Sequence, residues 1–337
     1  MKIRVSLGTA IVLGLHKGQL LVPPTTGYFL LSSSQGCLGT CGFCPQAQIS
    51  DCSPDQLSRV VWPSFPLLNT VEAVSKAWQK KQLRRICIQT TNYEHCSQDL
   101  LEVIRAIRNV AAIPLSLSCF PLSREEFKAL KTAGAQRIGI ALDAATPQLF
   151  SEAKGAKAGG PYRWESHLAA LSAAQEIFGK NQVTTHLIIG LGETEKQACE
   201  FLQYVVDRGI RVGLFAFTPI SGTRFEAKES PQLDSYRRIQ VARNLIHDNL
   251  ARAETFVFDH AEQISSFGMT WRKAKKLVTS GKPFQTTGCP NCNRPFYNES
   301  VRGPWYNFPR KLTADETNDI LEDLLKQDLF QMSNKGD

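Results

Sequence analysis

Residues Leu115–Leu142 read LSLSCFPLSREEFKALKTAGAQRIGIAL, and the ends of this stretch follow a different period from its middle. Leu115-Ser116-Leu117-Ser118 and Arg137-Ile138-Gly139-Ile140-Ala141-Leu142 are short apolar runs of the strand type. Between them, Ser123-Arg124-Glu125-Glu126 stands ahead of Phe127 and Leu130 and has the form of a capping box opening a helix. The stretch is a strand–helix–strand unit, and the alternation continues on both sides. Further strand-like runs are Arg85-Ile86-Cys87-Ile88-Gln89, Val183–Ile189 and Val212–Phe217, with a last candidate at Thr255–Phe258. Helix-like stretches such as Leu100–Arg108 lie between them. This spacing predicts parallel β/α units, and six or more over roughly 230 residues predict an α/β fold, a complete or partial TIM-type (β/α) barrel. A doubly wound open sheet is disfavoured, because no glycine-rich phosphate turn follows the first strand.

The chain has 337 residues, of which 42% are apolar, so it is long enough to bury a sizeable core. We expect an N-terminal segment over 1–29, a barrel over 30–264 and a C-terminal extension over 265–337. No apolar run is long enough to span a bilayer. The first apolar stretch is broken by Gly8, Gly14 and His16, so it reads as mature sequence rather than a signal peptide, and a cytoplasmic location is expected. The net charge of +8 suits a mildly basic soluble protein and favours an acidic protein partner. No Lys/Arg block is interleaved with aromatics, so neither nucleic acid nor a membrane is expected as a partner. Beyond residue 265 come a basic patch (Lys273, Lys275, Lys276, Lys282), the run Gly288-Cys289-Pro290-Asn291-Cys292-Asn293-Arg294-Pro295, and an amphipathic helix over Thr313–Phe330.

Ten cysteines in a chain without an export signal, tightly clustered, point to metal ligation rather than disulfides. Gly36-Cys37-Leu38-Gly39-Thr40-Cys41-Gly42-Phe43-Cys44-Pro45-Gln46 spaces three thiols as C-x3-C-x2-C. Three thiolates on one loop hold three irons of a cubane and leave the fourth free, whereas an electron-transfer cluster usually has four cysteines. Zinc sites more often pair two C-x2-C arms.

This spacing, with an aromatic residue before the last cysteine, resembles the radical S-adenosylmethionine (SAM) superfamily. The resemblance implies a [4Fe–4S] cluster on Cys37, Cys41 and Cys44, SAM on the open iron, Phe43 beside the adenine, and hydrogen abstraction by a 5′-deoxyadenosyl radical. Cluster and SAM carry that chemistry, so no catalytic side chain is expected. Cys44-Pro45-Gln46, the run from Cys119 through Leu122-Ser123 to Ala133-Gly134, and Leu142-Asp143 are similar to biotin synthase. Gly190-Leu191-Gly192-Glu193-Thr194 is similar to a segment shared by biotin and lipoyl synthases. The match assigns Asp143 to the SAM ribose, where the bland reading is a helix cap. It assigns Gly190, Gly192 and Glu193 to the SAM pocket, where the bland reading is a tight βα turn.

Departures from biotin synthase bear on function. Two of its second-cluster cysteines match Cys87 and Cys119, but the third falls near Thr184 and its arginine near Ala261. The chain instead carries Cys289-x2-Cys292, as do biotin-synthase-like proteins that work in pairs to make the lipoyl cofactor. The resemblance thus implies a sulfurtransferase of lipoate biosynthesis, of the lipoyl synthase type. It would insert sulfur at C6 or C8 of a protein-bound octanoyl chain from a sacrificial auxiliary [4Fe–4S] cluster. Its ligands would be Cys289 and Cys292, completed by Cys87 and Cys119. Cys87 alternates with Ile86 and Ile88 and can face the barrel interior; alternation leaves the direction of Cys119 open. Cys96 is the competing thiol. Partners implied are an octanoylated lipoyl carrier domain or a glycine cleavage H-type protein, a second biotin-synthase-like radical SAM protein, and a ferredoxin- or flavodoxin-type electron donor. The alternatives are another two-cluster radical SAM enzyme, biotin synthase-like or methylthiotransferase-like, and a non-catalytic iron–sulfur or zinc-binding protein.

Overall fold

The computed structural model describes residues 1–331. Its centre is one eight-stranded sheet. In chain order the strands are β1 (Lys2–Val5), β2 (Thr26–Leu31), β3 (Ser64–Pro66), β4 (Arg85–Thr90), β5 (Leu115–Cys119), β6 (Arg137–Ile140), β7 (Val183–Ile189) and β8 (Arg211–Ala216). Their order in the sheet is β8-β7-β6-β5-β4-β2-β1-β3. The six from β2 to β8 are parallel, each set against the next, as in Thr26↔Arg85 and Gly139↔Thr184. Strand β1 runs antiparallel to β2 and to β3.

The result is a partial TIM-type barrel, with one correction to the expected strands. Thr255–Phe258 is not a barrel strand: Val257–Phe258 pairs with Ile264–Ser266 in a separate hairpin. The sixth parallel strand is β2, whose residues are all buried and therefore lack the alternation that marks a half-exposed strand. Residues 1–29, set apart by the sequence, also supply β1 to the main sheet.

Connections between parallel strands need a crossover, and helices provide it. They include α1 (Leu67–Gln79) before β4, α2 (Cys96–Val110) before β5, and α3 (Arg124–Thr132) before β6. The predicted capping box opens α3: the Ser123 hydroxyl accepts from the Glu126 N–H, and the Glu126 carboxylate accepts from the Ser123 N–H. Trp164–Phe178 and Glu195–Asp207 flank β7, and Leu233–His247 follows β8. Among the described residues no helix is long and apolar enough to cross a membrane.

Period-two alternation sorts the strand residues. In β4, Ile86 and Ile88 pack into the helix-covered core, while Cys87 and Gln89 face a central cavity. In β7, Leu187 and Ile189 join the core, and Thr184, His186 and Ile188 line the cavity.

Strands β8 and β2 are the far parallel ends of the sheet, and the C-terminal segment occupies the gap between them. The Leu214 N–H donates to Thr287 Oγ1 (2.7 Å), and Thr218 Oγ1 donates to the Asn298 carbonyl (2.7 Å). On the other side, Thr25 and Thr26 hydroxyls both donate to the Asn291 carbonyl (2.7 and 2.9 Å). Residues 287–298 are therefore part of the barrel wall rather than an appendage. Farther on, the C-terminal amphipathic run forms a helix over Ala314–Leu325, opened by a Thr313/Glu316 capping box.

Candidate functional site

The C-x3-C-x2-C loop follows β2, at the end of the parallel strands where barrel ligands bind. Backbone hydrogen bonds fix it from three sides: Leu38 N–H to the Asn92 carbonyl, Gly42 N–H to Ala153, and Phe225 N–H to the Gly42 carbonyl. The loop needs its glycines. A Cβ on Gly39 would lie 2.9 Å from the Tyr162 hydroxyl, and one on Gly42 would lie 2.7 Å from the Phe225 ring. Two backbone N–H groups, of Gly39 and Asn92, point at Cys37 Sγ (3.3 Å each). Burial pushes the Cys41 thiol up to about 12 and the Cys44 thiol higher still. Metal-free, these buried thiols hold their protons; N–H donors aimed at sulfur and three cysteines on one glycine-wrapped loop fit a cluster that binds them as thiolates.

Asp143 sits just past β6 and is 6% exposed. Its φ of 67° is the left-handed region, unusual for a residue with a side chain. The strand pairing holds it there: its N–H donates to the His186 carbonyl (3.0 Å), and its own carbonyl accepts from Ile188 N–H (2.8 Å). Lys154 Nζ donates to Asp143 Oδ2 (2.7 Å) and to the Ala141 carbonyl (2.9 Å). Burial works against the Lys154 charge, yet the facing carboxylate leaves its pKa raised. Asp143 Oδ1 makes a looser approach, 3.9 Å from His186 Nδ1. Burial lowers His186 to about 4, so this ring is neutral at neutral pH.

The Gly190–Thr194 segment shapes the βα turn after β7. Gly190 and Gly192 have φ of 106° and 127°, and the Glu193 carboxylate accepts the N–H groups of Gly190 (2.6 Å) and Leu191 (3.1 Å). Thr194 caps the following helix. Glu193 thus holds the turn rather than facing the cavity.

The central cavity encloses about 230 Å³ and joins the two expected sites. Phe43, Cys44 and Asp143 line it, and so do Cys87, Cys289 and Cys292. Ser116 Oγ lies 3.3 Å from Cys289 Sγ, and Tyr28 Oη lies 3.5 Å from Cys292 Sγ. Arg85 donates to Ser116 Oγ (2.9 Å), and the Arg294 guanidinium stacks on Phe215 at 3.6 Å. Two cations beside three thiols, and among the described residues no carboxylate in an ion pair with either, suit an anionic cluster. Among the described residues no three His, Cys, Asp or Glu side chains converge closely enough for a single metal ion. A cubane spreads its thiolates over several irons and takes a wider set.

Cys119 does not belong to this group. Ser118 of β5 lines the cavity and Ser116 approaches Cys289, whereas Leu115, Leu117 and Cys119 join the helix-covered core, and Cys119 is buried near Cys96 and Glu126. Cys96, the competing thiol, is removed by the same geometry. Cys199 is fully buried in its helix, and Cys52 Sγ lies 3.1 Å from the Ser221 carbonyl. Sequence reasoning missed Tyr28, Ser116, Lys154, His186 and Arg294. Arg294 alone had a local signal, two residues after Cys292; the others become neighbours only through the tertiary fold.

Two curated relatives are named GTP 3′,8-cyclase. That of Limosilactobacillus fermentum is 26% identical over 210 residues, 58% of this chain and 56% of its own. That of Acaryochloris marina is 26% identical over 128 residues, 36% of this chain and 37% of its own. The chain thus spans about half or less of the length of these relatives. Among solved structures, the FeFe-hydrogenase maturase HydG from Carboxydothermus hydrogenoformans superposes with a TM-score of 0.51 at 18% identity, covering 67% of this chain and 52% of HydG. Methylornithine synthase superposes with a TM-score of 0.51 at 12% identity, covering 71% and 66%. At these identities the likeness is one of fold. Residues 31–205, just over half of the chain and including the whole C-x3-C-x2-C loop, match the Radical SAM superfamily, and the chain belongs to it.

Proposed function

We propose that the protein is a two-cluster radical SAM enzyme that inserts sulfur into an unactivated carbon of an acyl substrate, of the kind needed to build a lipoyl group. One observation carries the reading: Cys87, Cys289 and Cys292 converge in the cavity that Cys44 and Asp143 also line. Cys37, Cys41 and Cys44 hold the SAM-binding cluster, and Cys87, Cys289 and Cys292 hold the second. When bound, the first group with SAM supplies hydrogen abstraction, and the second supplies sulfide.

The chain's own residues do the rest. Asp143, fixed by Lys154, presents carboxylate oxygens to the SAM ribose hydroxyls, for which a carboxylate is a natural acceptor. Phe43 offers a ring face to the adenine. Leu57, Ile188, Phe215 and Ile220 make the cavity wall apolar, which excludes water from the reacting carbon. Neutral His186 adds no charge.

The same wall bears on the substrate. A nucleoside triphosphate, the substrate in the names of the curated relatives, calls for several cations around its phosphates. The cavity lining offers one guanidinium, Arg294, already stacked on Phe215 and donating to the Thr287 carbonyl (3.1 Å). This favours a neutral alkyl chain. An octanoyl group on a lysine of an acidic carrier, either a lipoyl domain or an H-type protein, fits both the cavity and the basic surface. A second radical SAM protein would add the other sulfur, and a ferredoxin or flavodoxin would supply electrons.

The test is anaerobic incubation of the cluster-loaded protein with SAM, a reductant and either an octanoyl-lysyl peptide or GTP. Mass spectrometry should find one added sulfur on the peptide and 5′-deoxyadenosine in step with it. Conversion of GTP with no sulfur on the peptide would replace this reading by a cyclase.

A further inference from the structure

The opposite end of the barrel, at the starts of the parallel strands, holds a second depression that the proposed reaction does not use. It is open to solvent, with a volume of about 710 Å³, and Arg85, Arg108, Lys131, Arg137, Gln182 and Pro290 are in its lining. Four of these side chains are cations, and the lining contains no carboxylate. Among the described residues none of the four forms an ion pair.

Two of the cations have a local reason to be there. Arg108 donates to the carbonyls of Ile113 and Gly134 (2.7 Å each), and Lys131 donates to that of Ile177. Cations commonly sit beside the free carbonyls at helix C-termini. Arg85 and Arg137 are different. They are the first residues of β4 and β6, and they are 7% and 5% exposed. Arg137 donates to Gln182 Oε1 (2.7 Å) and to the Asn181 carbonyl, while its Nε is buried without a hydrogen-bond partner. A guanidinium buried among neutral oxygens alone, as that of Arg137 is, is costly to hold; Arg85 also lies beside the Ser116–Cys289 contact. The planar forks of both match the oxygens of a phosphate-type anion.

We propose that this basin binds a phosphate-type oxyanion, either free or as the phosphoryl group of a nucleotide. Arg85 and Arg137 are the buried anchors, and Arg108 and Lys131 form the rim. The basin also touches the second cluster site. Arg85 Nε donates to the Pro290 carbonyl (3.2 Å), and Arg85 Nη1 donates to the same Ser116 hydroxyl that approaches Cys289. An anion drawing on Arg85 therefore acts on the loop that carries Cys289.

The cluster-loaded protein, kept anaerobic, is titrated calorimetrically with inorganic phosphate and, separately, with GTP. Sodium chloride holds ionic strength constant, so that screening is not read as binding. Saturable binding is expected, weakened roughly tenfold or more by Arg137→Gln and less by Lys131→Met. Arg272→Gln, an exposed cation on another helix, should leave it unchanged. Phosphate saturating the site with no gain from GTP identifies the free anion. Tighter GTP binding that phosphate competes away identifies a nucleotide phosphoryl group. No saturable binding of either, or binding of either that both substitutions leave intact, overturns the proposal. Melting midpoints check that the variants fold; if Arg137→Gln does not, Lys131→Met decides.

Discussion

Asp143 has two tasks that a single substitution confuses. It carries half of a buried ion pair with Lys154, and it is the carboxylate assigned to SAM. Asp143→Ala strands a buried ammonium, which should cost about 3–5 kcal/mol of stability. It should also weaken SAM binding by roughly 1.5–3 kcal/mol, through loss of a charge-assisted hydrogen bond. Pairing it with Lys154→Met separates the effects. The double variant should regain most of the melting temperature while SAM affinity, measured by equilibrium dialysis, stays weak. Recovery of both together would reduce Asp143 to a structural anchor. The sequence located Asp143 through its place after an apolar strand, but not Lys154. The pair is eleven residues apart and meets only because the segment after β6 folds back over the strand end.

At the scale of the element, the helix Trp164–Phe178 buries His167 at 1% exposure. Its Nδ1 lies 3.0 Å from the Arg163 carbonyl, and its ring packs edge-on against Phe150 and Tyr162. Burial lowers its pKa to about 3, from an ordinary value of 6.5. Between those values the unfolded chain takes up a proton that the folded one refuses. Stability contributed by the neutral ring is therefore full above about pH 6.5 and falls as pH drops towards 3. His167→Leu should flatten the fall of the thermal midpoint over that range; an unchanged slope would assign it to other groups.

The helix Trp271–Thr279 buries Ala274, Leu277 and Val278 and exposes Lys273, Lys275 and Lys276. If it meets an acidic carrier, changing the three lysines to Glu should raise KM for carrier protein several-fold, and more than for a short octanoyl peptide. Equal effects on both substrates would leave the lysines a solvated face. Elements with a strong period were legible from sequence: β4, β5, β6, β7, β8, the capping box of Arg124–Thr132 and the C-terminal helix. Strand β2 was not, because full burial erases alternation. Thr255–Phe258 misled because β-branched and aromatic residues suit a surface hairpin as well as a barrel wall.

Across the whole molecule the two thiol groups are built differently, and that difference is testable. One is local, within eight residues; the other unites Cys87 with Cys289 and Cys292 from the far end of the chain. Replacing Cys37, Cys41 and Cys44 by Ala should abolish SAM cleavage and leave about four irons per chain. Replacing Cys289 and Cys292 alone should remove the second set of irons and end sulfur transfer, while uncoupled SAM cleavage continues. Zinc at that pair, or sulfur transfer without it, would defeat the assignment. The first group was legible because its spacing is written in one loop. The second was half legible: the C-terminal pair and Cys87 were in view, but the face of Cys119 was fixed only by β5.

Since residues 287–298 fill the gap between β8 and β2, they also set a timetable for assembly at the ribosome. A nascent chain with its first 250 residues exposed already owns the Cys37–Cys44 loop, β4 and Cys87, but has nothing to set opposite Cys87. The Cys37–Cys44 loop is complete early in synthesis, whereas the proposed second centre must wait for residues 287–298 to emerge and dock. Until then the cavity stands open along one side, its thiols exposed to oxidants, so the final stretch of translation is when this protein most needs a reducing, iron-supplying environment.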